Sequence, residues 1–377
     1  LLNGGSAITS ATTLLNTGAN TFAGTNIFTG GLVSTAASNN TVNGILQTNG
    51  AALNIGAVTL SGNSTLATNN TVAAGANLTV GAVTGGANNL ILNAGTGGVV
   101  SASSFAGTGN LTLTNSGGAT FAGNVNANTV ALTNTTGNVT FSGLLTAGTL
   151  TTAAQNYGLL LNGGSAITSA TTLLNTGANT FAGTNTFIGG LVSTAASNNT
   201  VNGILQTNGN VLNIGAVTLS GNSTLATNNT VAAGANLTIG AVTGGTNNLI
   251  LNAGTGGIVS ASSFTGTGNL TLSNSAAATF SGAVTANTVA LNKTATGDVT
   301  FSGLLTAGTL TTAAQNYGLL LNGGSAITSA TTLLNTGANT FAGTNTFTGG
   351  LVSTAASNNT VNGILQTNGT ALNIGAV

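Results

Sequence analysis

The phrase NTGANTFAGTNIFTGG at Asn16–Gly31 returns as NTGANTFAGTNTFIGG from Asn175 and as NTGANTFAGTNTFTGG from Asn335. The period is about 160 residues, and the second step is longer than the first by a single position. The extra residue enters where ALTNTTGNV (Ala131–Val139) becomes ALNKTATGDV (Ala290–Val299). The chain therefore divides into super-repeats at 1–159 and 160–319 and a partial third at 320–377. A period this long is expected to contain shorter echoes. IGAVT at Ile55–Thr59 is answered by VGAVT at Val80–Thr84, and TFAG at Thr120–Gly123 by TFSG at Thr140–Gly143. TFSG at Thr279–Gly282 recurs at Thr300–Gly303 after a similar step. Such steps fit one turn of a solenoid better than one hairpin pair.

Local patterning agrees. Leu111 and Leu113 alternate with Thr112 and Thr114, and Val139 and Phe141 with Thr140 and Ser142. That period of two, in Val, Ile, Thr and Phe, is the strand signature. In LNIGAVTLSG the inward phase set by Leu53 and Ile55 passes to Val58 and Leu60, so Gly56–Ala57 is read as a bulge or corner. Helix is disfavoured by 59 Gly, abundant Asn and Thr, and the absence of any amphipathic heptad. The fold class predicted is all-β: a parallel β-solenoid with turns of about 20–25 residues, in tandem super-repeats of about 160. Stacked turns pair every ladder, bury a core no single turn could close, and let Asn in adjacent turns form amide ladders.

Comparison between repeats adds detail. Val80 becomes Ile239 and Val99 becomes Ile258, size-tolerant swaps expected of buried positions. Gly117–Gly118 becomes Ala276–Ala277, which argues against left-handed backbone there. The twelve Phe fall mainly in TFxG contexts and read as core stacks.

Charge then limits function. Lys293 and Asp298 are the only ionised side chains, with no His, Arg or Glu. Nucleic acid needs clustered Lys or Arg, and anionic lipid needs the same; neither partner is expected. No apolar run approaches the ~18 residues of a spanning helix, and two Tyr without Trp make no aromatic girdle, so membrane insertion is not expected. Without Cys, disulfides and thiolate metal sites are absent. Polysaccharide lyases and hydrolases built on β-helices need carboxylates, Lys, Arg or His in concert, which one Asp and one Lys do not supply. GTGGVV at Gly95–Val100 has the glycines of a calcium roll without its acid, and no Gly-rich piece carries a phosphate-loop Lys. No catalytic, cofactor-binding or metal-binding residue is assigned, and no cofactor is expected. Asn-x-Ser/Thr, as at Asn63, Asn77, Asn110 and Asn138, recurs about as often as the composition supplies by chance.

Lys293 and Asp298 read as a solvated surface pair, with a local salt bridge across the enlarged loop as the alternative. Tyr157 and Tyr317, in AAQNYGLLLNGG at the seam between repeats, read as corner caps with wet hydroxyls, or as contacts between rods. With so few titrating groups, stability should barely depend on pH.

LNTGANTFAGTNTFIGGLVST (Leu174–Thr194), its copy at Leu334–Thr354, and LLTAGTLTT at Leu144–Thr152 resemble the passenger-associated repeat of autotransporter adhesins. The resemblance implies a secreted right-handed β-helix on a bacterial surface. The same phrases also resemble the shafts of phage tail fibres, in which three chains wind together. Three roles follow: self-association into an extracellular filament, sheath or surface layer; an adhesin stalk contacting another cell; or a trimeric shaft. Near-absence of charge and zero Pro favour the first, with copies of the chain itself as partner. The chain opens partway through a repeat, without Met, and reads as a segment of a longer exported protein whose signal lies outside it.

Overall fold

A computed structural model describes residues 1–293 and 295–377. Among the described residues every regular element is a β-strand, and no helix is long and apolar enough to cross a membrane. The chain is a parallel β-solenoid of about 18 turns. Its contacts define two compact units, Leu1–Asn185 with Ala195–Ser197, and Thr186–Thr194 with Asn198–Val377.

In the first unit, the turn beginning at Ala119 shows the plan. Three strand segments each point two residues inward: Ala119 and Phe121, Val125 and Ala127, Val130 and Leu132. The next turn repeats them in parallel register, Ala119 on Val139, Val125 on Leu145 and Val130 on Leu150. The unit thus has three faces, each a ladder with one apolar and one outward side. The second unit follows the same plan, with Ala278 on Val299, Val284 on Leu305 and Val289 on Leu310.

Turn length varies with the corners. The turn that brings Val58 onto Asn40 is short, whereas the one that brings Leu90 onto Ser64 is long. Gly56–Ala57 is a corner: strands Leu53–Ile55 and Val58–Ala67 flank it, and Leu53, Ile55, Val58 and Leu60 are all buried. The parity change in LNIGAVTLSG therefore marks the chain passing from one face to the next.

All twelve Phe are buried. Phe121 stacks on Phe141 at 4.9 Å and 6°, and Phe280 on Phe301 at 5.0 Å and 6°. Each fully buried Leu, Val or Phe contributes about 1.5–3 kcal/mol, so the apolar columns supply most of the stability of an uncharged chain.

Two inferences from the repeats need correction. Val80 and Ile239 are buried, but Val99 and Ile258 are 40% and 42% exposed. Strand parity explains this, since Val100 and Val259 take the inward places beside them. Gly118 has φ +150, a sign of φ that no non-glycine residue adopts among the described residues. The alanine at its counterpart is accommodated by a changed backbone: Ala277 joins the strand Ala277–Phe280 and pairs with Ile258, whereas the first unit's strand starts at Ala119.

Candidate functional site

Among the described residues no group of three or more His, Cys, Asp or Glu assembles. The chemistry available lies in side-chain columns, inside and outside the coil, and in one buried ammonium.

In its second and third copies the phrase NTGANTF forms a buried amide relay. The Asn175 amide donates to the Tyr157 carbonyl (3.0 Å) and to Asn179 Oδ1 (2.6 Å), which also accepts Leu159 N–H (3.1 Å). Asn335 and Asn339 repeat the arrangement with Tyr317 and Leu319. Further along, Ser34 Oγ donates to Asn40 Oδ1 (2.6 Å), and Ser353 Oγ to Asn359 Oδ1 (2.6 Å). Asn175, Asn179, Asn335 and Asn339 are fully buried. Buried amides hold register because a slip would strand them without partners. Sequence reasoning places Asn on ladders and misses its place in the core. The fixed Asn-x3-Asn spacing at the head of every repeat is the available signal.

Outer ladders also form. Asn115 donates to Asn93 Oδ1 (3.2 Å), Asn134 to Asn115 Oδ1, and Gln155 Nε2 to Asn134 Oδ1 (2.8 Å). Each rung lies one turn from the last.

Lys293 departs from expectation. It stands where the second repeat has replaced ladder residue Asn134, yet it is fully buried. Its ammonium donates to the carbonyls of Ala295 and Gly297 (2.5 Å for Gly297) and lies 4.8 Å from the centre of the Tyr317 ring. In the first unit the corresponding inward group is Thr135, whose hydroxyl donates to Gly137 O (3.1 Å) and pairs with Ser116 Oγ (2.9 Å). Lys293 thus caps a carbonyl of the loop that is one residue longer. The Ser275 hydroxyl, counterpart of Ser116, is buried without a partner among the described residues. Burial lowers the Lys293 pKa to about 8, against the opposing effect of Asp298. Asp298 is exposed and accepts the Gly318 N–H at 2.8 Å. The pair is therefore not a solvated one: the cation is a core residue and only the carboxylate faces water.

The tyrosines are corrected likewise. Tyr157 and Tyr317 are each 1% exposed, so neither hydroxyl is wet. Tyr317 Oη donates to Leu291 O (3.2 Å) and accepts Ala313 N–H (3.2 Å). Tyr157 Oη lies by Thr152 and Ala153 but closes no hydrogen bond. Burial raises both pKa values to about 12. Tyr317→Phe is expected to cost about 1 kcal/mol in denaturant unfolding, because its hydroxyl is bonded. Tyr157→Phe should be neutral or stabilising; an equal loss in both variants would contradict this assignment.

Outward, each face carries its own column. One face of the second unit stacks Thr200, Thr218, Thr243, Thr265, Thr285 and Thr306 on consecutive turns. The first unit breaks the same rank with Ala106 and Asn126 between Thr84 and Thr146. Both units share the rungs Thr41, Thr59 and Thr84 with Thr200, Thr218 and Thr243, and only the second continues the rank as threonine through Thr265 and Thr285. Comparison with family models, with curated proteins and with solved structures returns no match.

Proposed function

We propose that the chain is a non-enzymatic structural element that self-associates into an extracellular filament, sheath or surface layer. The observation that carries this reading is the outer surface: columns of Thr, Ser, Asn and Ile with Asp298 as the single ionised side chain exposed on them. Lys293, the only side-chain cation, is withdrawn into the core. Faces without charge have no repulsion to keep copies apart, and β-rich faces pack well against each other. The parallel solenoid is compatible with such a passive role.

Sedimentation and electron microscopy across pH and salt test the reading. Assemblies are expected to persist from pH 3 to pH 8 and in molar salt, since one exposed carboxylate per chain leaves almost nothing to titrate or be screened. Dissolution between pH 7 and pH 3, or a monomer at high concentration, would overturn it. Particles of three chains each would favour a trimeric shaft instead.

A further inference from the structure

We infer that lateral association, on the reading above, uses one face in particular, and that its partner there is a second copy of this chain. On this face the first unit's outward column reads Thr25, Ile45, Thr65, Ile91, Thr112 on consecutive turns. Large and small side chains alternate, so isoleucines project every second turn, roughly 9.5 Å apart at the usual strand spacing. Ile45 and Ile91 are each 37% exposed, high for branched aliphatics on a strand. Between them, over Thr65, lies a depression of about 260 Å³ edged by Asn63 and Asn89.

The second unit repeats the arrangement. Ile204, Thr224, Ile250 and Thr271 stack in order, Ile204 and Ile250 are 38% and 39% exposed, and the depression over Thr224 is again about 260 Å³. The bordering asparagines are already engaged along the stack. Asn63 Oδ1 accepts Asn89 N–H (2.9 Å) and Asn89 Oδ1 accepts Asn110 N–H (2.8 Å), matched by Asn222, Asn248 and Asn269 at 2.9 Å. A partner covering the column therefore need not satisfy those acceptors.

A column of alternating knobs and hollows is complementary to itself. Laid against a second such column and shifted by one turn, each isoleucine meets the hollow over a threonine, which is how steric zippers exclude water between sheets. The partner surface must carry the same two-turn alternation and no charge, and this chain carries both. The threonine rank of the second unit lacks this alternation of large and small side chains and offers a row of hydroxyls, which water serves equally well.

The test uses the full chain with four substitutions, Ile45→Lys, Ile91→Lys, Ile204→Lys and Ile250→Lys. The control puts four lysines on a different face: Thr59→Lys, Thr84→Lys, Thr218→Lys and Thr243→Lys. All eight positions point outward. The isoleucine-face variant is expected to raise the concentration for half-association at least about 100-fold, as like charges are brought together. The control should stay within about tenfold. A third variant with Ile→Thr at the same four isoleucines adds no charge and keeps strand propensity; it is expected to weaken association at least about tenfold. Equal effects from the two lysine sets, or full association of the Ile→Thr variant, would overturn the assignment of this face while leaving self-association intact. A wild-type chain that does not associate would instead overturn the function from which the inference starts.

Discussion

Gly75→Val is expected to destabilise the chain by at least about 3 kcal/mol. Gly75 ends the longest corner, in VAAGAN, where its N–H closes a turn on Val72 O (2.8 Å) at φ +64. A branched side chain resists that backbone conformation. A Cβ there would also collide with Ala94 O and stand 2.7 Å from Ala94 C, on the next turn. The obstacle is backbone, so the stack itself would have to open. Gly234 repeats the situation at φ +62, with Ala253 O in the way. Gly18 is the control: nothing lies within 4 Å of its Cβ position and its φ is not positive. Gly18→Ala should be neutral or stabilise by up to about 1 kcal/mol. Urea unfolding of the two variants measures the contrast, and similar midpoints would refute the close stacking of that corner.

The second large effect is on pH dependence, which the buried groups make alkaline and sharply signed. Lys293 is held near 8 in the folded chain against 10.5 for the free side chain. Between those values the unfolded chain binds the extra proton, so stability rises with pH across that window, by about 3 kcal/mol in all. Tyr157 and Tyr317 act in the opposite sense. Their folded values of about 12 exceed the free value of 10.0, so the folded chain holds more protons between those limits. Stability contributed by each tyrosine is complete below pH 10 and is lost towards pH 12, about 3 kcal/mol apiece. The predicted profile climbs from pH 8 to about pH 10 and then falls. Thermal or denaturant unfolding of Lys293→Met should lack the climb and keep the fall. A wild-type chain with a flat profile from pH 7 to pH 10 would place Lys293 in solvent. The pH-indifference expected from composition is accordingly predicted to fail above pH 8, because it counted ionisable groups without their burial.

Much of the coil was legible in the sequence. The short echoes, IGAVT with VGAVT and TFAG with TFSG, carry the turn length. The parity change at Gly56–Ala57 carries a corner, because apolar alternation reports directly which side of a strand is buried. The columns were not legible. Turns differ in length, so Ile45, Thr65 and Ile91 are unevenly spaced along the chain although they stack on consecutive turns. Lys293 was misplaced because lysine is rarely buried. The added residue beside it was the one sign that this loop had been rebuilt around a new group. The repeats hid the change at Gly118, since substitution by alanine leaves no mark when the backbone itself moves. The amide relay at Asn175 and Asn179 was equally hidden, as composition cannot say which asparagines face inward.

Consecutive turns stack in parallel register, and a chain with no native cysteine permits a direct measurement of that stacking. Thr243 and Thr265 are register partners one turn apart, as are Thr285 and Thr306. Cysteines at either pair are predicted to form intrachain disulfides on mild oxidation, since adjacent ladder positions lie within bridging distance. Cysteines at Thr243 and Thr285, two turns apart, should remain free thiols. Bridging of the distant pair, or free thiols at both adjacent pairs, would contradict the stacked coil.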